Sequence, residues 1–266
     1  MDTSLHVAGK VMVVTGATRG IGRAVAEAFY SRGAHVAMIA RNESRGVRVQ
    51  QEILEAYPDV PGTCRFYPCS VSDSRAVERT CCDILSDFGH ADVLVLNAGI
   101  EVKPSSIADT EIEDWKTLMS VNVDGAFYVI KHLIGSMEAR GSGSIIFISS
   151  VSTLSGGGTG MHYPASKAAL QGMMARINYD LLPKGIRANM ISPGLVDTPL
   201  LRRKYPDTPE TNASLNAQIP MGRIARPEDI AKIALFLASD LSGYVCGQNI
   251  TADGGRSLYR RSVVST

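Results

Sequence analysis

Short apolar runs recur along the chain, separated by stretches whose apolar positions fall at helical spacing. The runs are VMVVTG (11–16), HVAMIA (35–40), CRFYPC (64–69), DVLVLN (92–97), SIIFIS (144–149), RANMIS (187–192) and QNITAD (248–253). Strand-length runs alternating with amphipathic segments predict parallel strands joined by helical crossovers. Most of the runs are apolar throughout, without a polar face, which predicts burial on both sides between two helix layers. The expected fold is therefore a doubly wound α/β sheet. No low-complexity linker or internal repeat interrupts the series, and the longest strand-poor interval, 194–247, carries its own helical pattern, so residues 1–266 read as a single domain. In such sheets ligands bind beyond the carboxyl ends of the strands, where the strand order reverses. The residues following each run are thus the first candidates for a site.

Charge leaves that picture intact but removes function classes. The formal net charge is +1, with both signs spread along the chain, so no bulk field points to nucleic acid or to an anionic membrane surface. No apolar run approaches the roughly 20 residues of a membrane span, and MDTSLHVAGK lacks the basic and apolar regions of a secretory signal. A cytoplasmic enzyme acting on a small molecule is the expectation. The five Cys (64, 69, 81, 82 and 246) are odd in number and show neither CxxC spacing nor paired His. They read as reduced thiols, with no metal site and no disulfide framework.

The first run ends in a glycine turn, TGATRGIG, at residues 15–22. Gly16, Gly20 and Gly22 precede a helical pattern whose first turn would offer unpaired N–H groups and a positive dipole end, a seat for phosphate. Glycine there permits the tight turn and lets backbone approach a pyrophosphate closely. A dinucleotide site of this kind usually has an acid at the end of its second strand, where it accepts hydrogen bonds from the adenosine ribose. Here that strand ends Ile39, Ala40, Arg41. A guanidinium in place of the acid suits a 2′-phosphate, and Arg19, inside the turn, is placed to reach the same group. NADP(H) is the expected cofactor. NAD(H) is the alternative, because Glu43 stands within reach of a ribose hydroxyl.

YPASK at 163–167 sets Tyr163 and Lys167 four residues apart, on one helical face. A lone Tyr-x-x-x-Lys match arises readily by chance, but the fifth run ends in Ser149 and Ser150, followed by a glycine-rich VSTLSGGGTG that can bring a serine hydroxyl beside the phenol. A phenol with a pKa of about 10 is a poor base at neutral pH, and a nearby ammonium would stabilise the phenolate and lower that value. Tyr163 would then act as the acid/base, with His162 beside it as an orienting or packed neighbour.

With these motifs in order, the chain resembles the short-chain dehydrogenase/reductase family from about Lys10 to Gly255. The resemblance rests on TGATRGIG, LNAG at 96–99, Asn122 in SVNVDG, Ser150 thirteen residues before Tyr163, YPASK, and SPGLVDTP at 192–199. It implies a seven-stranded Rossmann-type sheet and a hydride transfer between a nicotinamide and a secondary alcohol or ketone. It also implies a homotetramer formed partly through the helix carrying Tyr163. By the same resemblance Asn122, Ser150, Tyr163 and Lys167 form the catalytic set: Ser150 polarises the substrate oxygen, Lys167 also binds the nicotinamide ribose, and Asn122 holds a water on the proton path. Cofactor binding is assigned to Thr15, Gly16, Thr18, Arg19, Gly20, Ile21, Gly22, Arg41, Ser70, Val71, Asn97, Ala98, Gly99, Tyr163 and Lys167, with Pro193, Gly194, Val196 and Thr198 fixing the carboxamide. The competing class is a non-catalytic dinucleotide sensor on the same fold, which would have no need of the proton-transfer set.

Two departures from the family pattern stand out. After the third run the chain has Ser70 and Val71, with Asp73 two residues later, where an acid often contacts adenine, and LNAG replaces the usual NNAG. Substrate choice is expected to lie in residues 198–221 and in the loop 152–162. There Arg202, Arg203 and Lys204 read first as a solvated charge run. The tail 256–266 has no assigned role.

Overall fold

The computed structural model describes residues 7–102, 106–157 and 160–258. Each of the seven apolar runs forms a strand: β1 (Val11–Thr15), β2 (His35–Ala40), β3 (Cys64–Pro68), β4 (Val93–Leu96), β5 (Gly143–Ile148), β6 (Ile186–Pro193) and β7 (Asn249–Ala252). They make one sheet in the order β3-β2-β1-β4-β5-β6-β7, every pair parallel. The helices are α1 (Gly20–Tyr30), α2 (Glu43–Ala56), α3 (Ser74–Phe88), α4 (Ile112–Met119), α5 (Gly125–Arg140), α6 (Ser152–Ser155), α7 (His162–Leu181), α8 (Pro199–Arg202), α9 (Pro209–Asn216) and α10 (Pro227–Ala238).

The continuous apolar runs have the cause expected for them. Successive strand residues point to opposite faces, and both faces are covered. Met12, Val14, Val36, Met38, Ile146 and Ile148 join a core with Val25 and Phe29 of α1, Ile53 of α2 and Leu235 of α10. Their neighbours Val13, Ile39, Leu94, Leu96, Ile145 and Phe147 join a second core with Ile84 of α3, Leu133 and Met137 of α5, and Met174 of α7. Strand order reverses between β1 and β4, and the ends of β1, β2, β3 and β4 therefore open onto one cleft. Between α4 and α5 the helix widens into a single π turn, Ser120–Asp124, which contains Asn122. Such a turn inserts one residue into the ladder and re-aims a side chain, a device frequent at functional sites.

No helix among the described residues is long and apolar enough to cross a membrane. The five Cys are unpaired, with Cys81 buried and Cys82 exposed. The tail falls within the described residues only at 256–258, and residues 158 and 159 of the 152–162 loop lie outside them.

Candidate active site

The glycine turn is held by β4. Gly16 and Gly20 adopt φ of 66° and 52°, which only glycine takes up without strain. Asn97 donates from Nδ2 to the carbonyls of Thr15 (2.9 Å) and Gly16 (3.3 Å), while the Thr15 hydroxyl accepts from the backbone N–H of Asn97 and Ala98. A Cβ on Gly22 would run into Asn97 Nδ2 and the Gly16 carbonyl. Thr15 and Gly22 do not line the cleft, in contrast to the expected cofactor contact; they brace the turn that does. Asn97 both braces and lines it.

The cleft holds about 510 Å³ and is lined by Gly16, Thr18, Arg19, Gly20, Ile21, Arg41, Ser70, Val71, Asn97, Ala98, Gly99 and Thr198 among the expected residues. Two further arginines line it, Arg45 in the first turn of α2 and Arg203 just after α8, neither marked by any motif. The described lining contains no carboxylate. Burial, followed by the charges of Arg203, Arg45 and Arg41, pushes the Arg19 guanidinium below its ordinary pKa, so four like charges converge at the end of β2. The nearby polar residues that could have changed this picture have other work. Asn42 caps α2 by accepting from the Arg45 N–H (2.8 Å), and Asp73 caps α3 through the N–H groups of Arg75 and Ala76. Glu43 opens α2 and does not line the cleft.

A second cavity of about 580 Å³ adjoins the cleft and shares Ile21, Asn97, Gly99, Thr198 and Leu200 with it. Ser150, Tyr163, Lys167, Pro193, Gly194 and Val196 line this cavity. Lys167 Nζ donates to the Ile148 carbonyl at the end of β5 (2.9 Å) and lies 5.8 Å from the Tyr163 ring centroid. Asn122 is 1% exposed and touches neither cavity. Its Oδ1 accepts from the Ile100 N–H (2.8 Å), and its Nδ2 donates to the Ile100 carbonyl (3.0 Å) and to Ser166 Oγ (3.1 Å). These bonds tie the β4 loop to α7 and fix Asn122 between them. A Cβ on Gly99 would come within 3.2 Å of Lys167 Nζ and 3.4 Å of Asn122 Oδ1, which accounts for the small residue there.

Burial works against one expectation. The Tyr163 phenol is pushed up to about 12, by burial first and then by the charge of Glu101, while interaction with the Ser150 hydroxyl opposes the rise. Lys167 is pushed down to about 8 by burial. Burial is the first cause for both groups, which share a desolvated pocket in which each resists charging. Tyr163 enters the neutral-pH range as a proton donor. His162 is 1% exposed, and neither ring nitrogen has a hydrogen-bond partner among the described residues, which fits a packed neighbour.

The lowered Lys167 value is also a statement about stability. Below about pH 8 the folded and unfolded chains both carry the ammonium and the full burial penalty applies; from about 8 to 10.5 the folded state sheds its proton first and the penalty fades. Lys167→Met is expected to stabilise the cofactor-free protein by about 1–3 kcal/mol at pH 7, after allowance for the lost bond to Ile148. The same change should cost activity and cofactor affinity together. Thermal melts at pH 7 and pH 10 check this: the gap in Tm between variant and parent should shrink at the higher pH.

In the charge run 202–204, Arg203 and Lys204 are exposed as a solvated run would be, while Arg202 is half-buried. Arg202 is clamped to Asp197 (2.7 and 3.0 Å) and to Asn212 (2.7 Å), Arg203 faces the cleft, and Lys204 lines the second cavity. A helical turn sends consecutive side chains in different directions, and a reading of composition could not separate them.

Comparison with known proteins agrees with this architecture. Residues 16–257 match the family profile described as Enoyl-(Acyl carrier protein) reductase. The chain is 35% identical over 251 residues to the 3-oxoacyl-(acyl-carrier-protein) reductase FabG of Thermotoga maritima, covering 94% of this chain and 99% of that one. It is 34% identical over 252 residues to 3beta-hydroxysteroid dehydrogenase 1 of Eggerthella lenta, covering 94% and 95%. Among solved structures, a Beutenbergia cavernae protein designated an NAD(P)-dependent gluconate 5-dehydrogenase, with NADP bound at low occupancy, superposes with a TM-score of 0.87 at 33% identity, covering 96% of this chain and all of that one. The chain belongs to the short-chain dehydrogenase/reductase family. It is an oxidoreductase of that family, and its relatives act on quite different substrates.

Proposed function

We propose that the protein is an NADP(H)-dependent oxidoreductase interconverting a secondary alcohol and a ketone, with Tyr163 as acid/base. The observation that carries the reading is the continuity of two cavities. One has four arginines and no described carboxylate in its lining, and the other brings Ser150, Tyr163 and Lys167 together. The donor set fits the cofactor. The positive-φ glycines leave backbone exposed at the α1 N-terminus for a pyrophosphate, and Arg19, Arg41, Arg45 and Arg203 match a dianionic 2′-phosphate. When bound, the nicotinamide supplies or accepts the hydride.

The chain's own residues handle the proton and the orientation. Ser150 hydrogen-bonds the substrate oxygen, and Tyr163, protonated at neutral pH, donates to that oxygen during reduction. Lys167, anchored on Ile148, supplies positive charge beneath the ring as the phenolate forms. Asn122 holds Ile100 and Ser166 in register so that the β4 loop and α7 face each other. Pro193, Gly194, Val196 and Thr198 line the same cavity and would fix the carboxamide. The whole chain works as one domain in the cytoplasm. Exposed Phe127 on α5 and Tyr179 on α7 support assembly into a homo-oligomer across these helices, a tetramer by family resemblance.

The direct test is a panel of secondary alcohols and ketones assayed for nicotinamide absorbance change with NADP(H) and with NAD(H). Turnover with a preference for NADP(H) is the expected result. Tight cofactor binding without turnover on any substrate would identify a sensor instead.

A further inference from the structure

The second cavity contains a carboxylate that the proton-transfer chemistry does not use. Glu101 follows the LNAG turn at the end of β4 and lines the cavity together with Ser150, Tyr163, Lys204 and Tyr205. Its backbone neighbour Ile100 is pinned at both N–H and carbonyl by Asn122, so the direction in which Glu101 leaves the loop is set by the core. No hydrogen bond or ion pair to a described residue engages its carboxylate. Burial raises its pKa while the charge of Lys204 pulls it down, and its own negative charge is felt at the Tyr163 phenol. An acceptor and a donor of opposite charge thus border the space beside the acid/base.

A carboxylate only accepts hydrogen bonds and an ammonium only donates them, whereas a hydroxyl does both. We propose that Glu101 and Lys204 form a subsite for a hydroxyl group near the reacting carbon, so that the substrate is a polyhydroxylated alcohol or its keto form. An apolar ring system or acyl chain filling the same space would seal the carboxylate from water and offer it no donor, an unfavourable exchange. A cationic group would meet Lys204. A hydroxyl can donate to Glu101 and accept from Lys204 at once. The inference rests on the oxidoreductase reading above and names the substrate class of that same cavity.

The test compares trans-1,2-cyclohexanediol with cyclohexanol, which differ by one hydroxyl beside the reacting carbon, as substrates for oxidation with NADP+. The parent protein is expected to favour the diol by about tenfold or more in kcat/KM, since a site built to bond a hydroxyl discriminates strongly against its absence. In Glu101→Leu the diol-to-cyclohexanol ratio should fall to about one. Any change that the lost charge makes to Tyr163 acts on both substrates and cancels in the ratio. Glu101→Gln, which keeps an acceptor, should retain part of the preference, and an unaltered cofactor Kd shows that either variant is folded. Binding of the diol to the NADP+-loaded protein is followed separately by saturation-transfer NMR. A diol preference absent in the parent, or unchanged in Glu101→Leu, would overturn the proposal while turnover of cyclohexanol left the oxidoreductase reading standing. Glu101-dependent binding of the diol with no turnover would do the reverse.

Discussion

Tyr163→Phe lowers kcat by about 10²–10⁴-fold, the range that a positioned acid/base contributes, and leaves a folded protein that still binds the cofactor. The asymmetry follows from what is removed. One hydroxyl is lost, the ring remains packed on α7, and the arginines and glycine turn that would hold the cofactor lie in the adjoining cleft. The pH dependence sharpens the result. Because the phenol is pushed up to about 12, it is protonated throughout the neutral range and is ready as a donor for reduction. In the oxidative direction it must first lose that proton, so the parent's oxidation rate should climb as pH rises. Residual oxidation by Tyr163→Phe should lack the component of that climb due to Tyr163. Steady-state kinetics across pH in both directions, with cofactor titration on the same preparations, make the check. A near-normal kcat in the variant would take Tyr163 out of the mechanism.

Arg41→Asp reduces kcat/KM for NADPH by about 100-fold and changes kcat/KM for NADH little. A charge-assisted contact to phosphate is worth about 1.5–3 kcal/mol, which is roughly 10- to 150-fold, and the introduced carboxylate adds repulsion toward a dianion. The structure gives a reason for a large effect. Arg19 already titrates below its ordinary value, through burial and through the charges of Arg203, Arg45 and Arg41. Like charges held together in this way are relieved by an anion among them. NADP+ should therefore raise the Tm of the parent more than NAD+ at equal concentration, and Arg41→Asp should erase that difference. Kinetics with both cofactors and one common substrate, beside the two melting series, provide the measurement. Equal kcat/KM for NADPH and NADH in the parent would reduce these arginines to surface charges.

The candidate site was legible wherever short-range spacing carries the chemistry. Tyr163 and Lys167 share a cavity because residues four apart share a helical face. The glycine turn lies at the switch point because it directly follows a strand. Long-range contacts were a different matter. Thr15 and Gly22 belong to the glycine motif yet serve as braces, a distinction that depends on Asn97, about eighty residues away, filling the space beneath the turn. Asn122 sits in SVNVDG like any helix residue, and only the π turn and its bonds to Ile100 and Ser166 show that it positions two elements without touching the cavity.

The pattern of seven apolar runs determined by itself that this chain builds a parallel sheet covered on both faces, because only burial on both sides tolerates strands with no polar face. The residues after those runs determined where a cofactor would lie. The tertiary structure alone decided the electrostatics. It brought Arg45 and Arg203 from two separate helical segments to the same pocket as Arg19 and Arg41, and it placed Glu101 in one cavity with Tyr163, where burial and the Glu101 charge push the phenol up. Desolvation and charge proximity depend on which groups meet in three dimensions and on how much water remains between them, and residue spacing along the chain holds neither quantity.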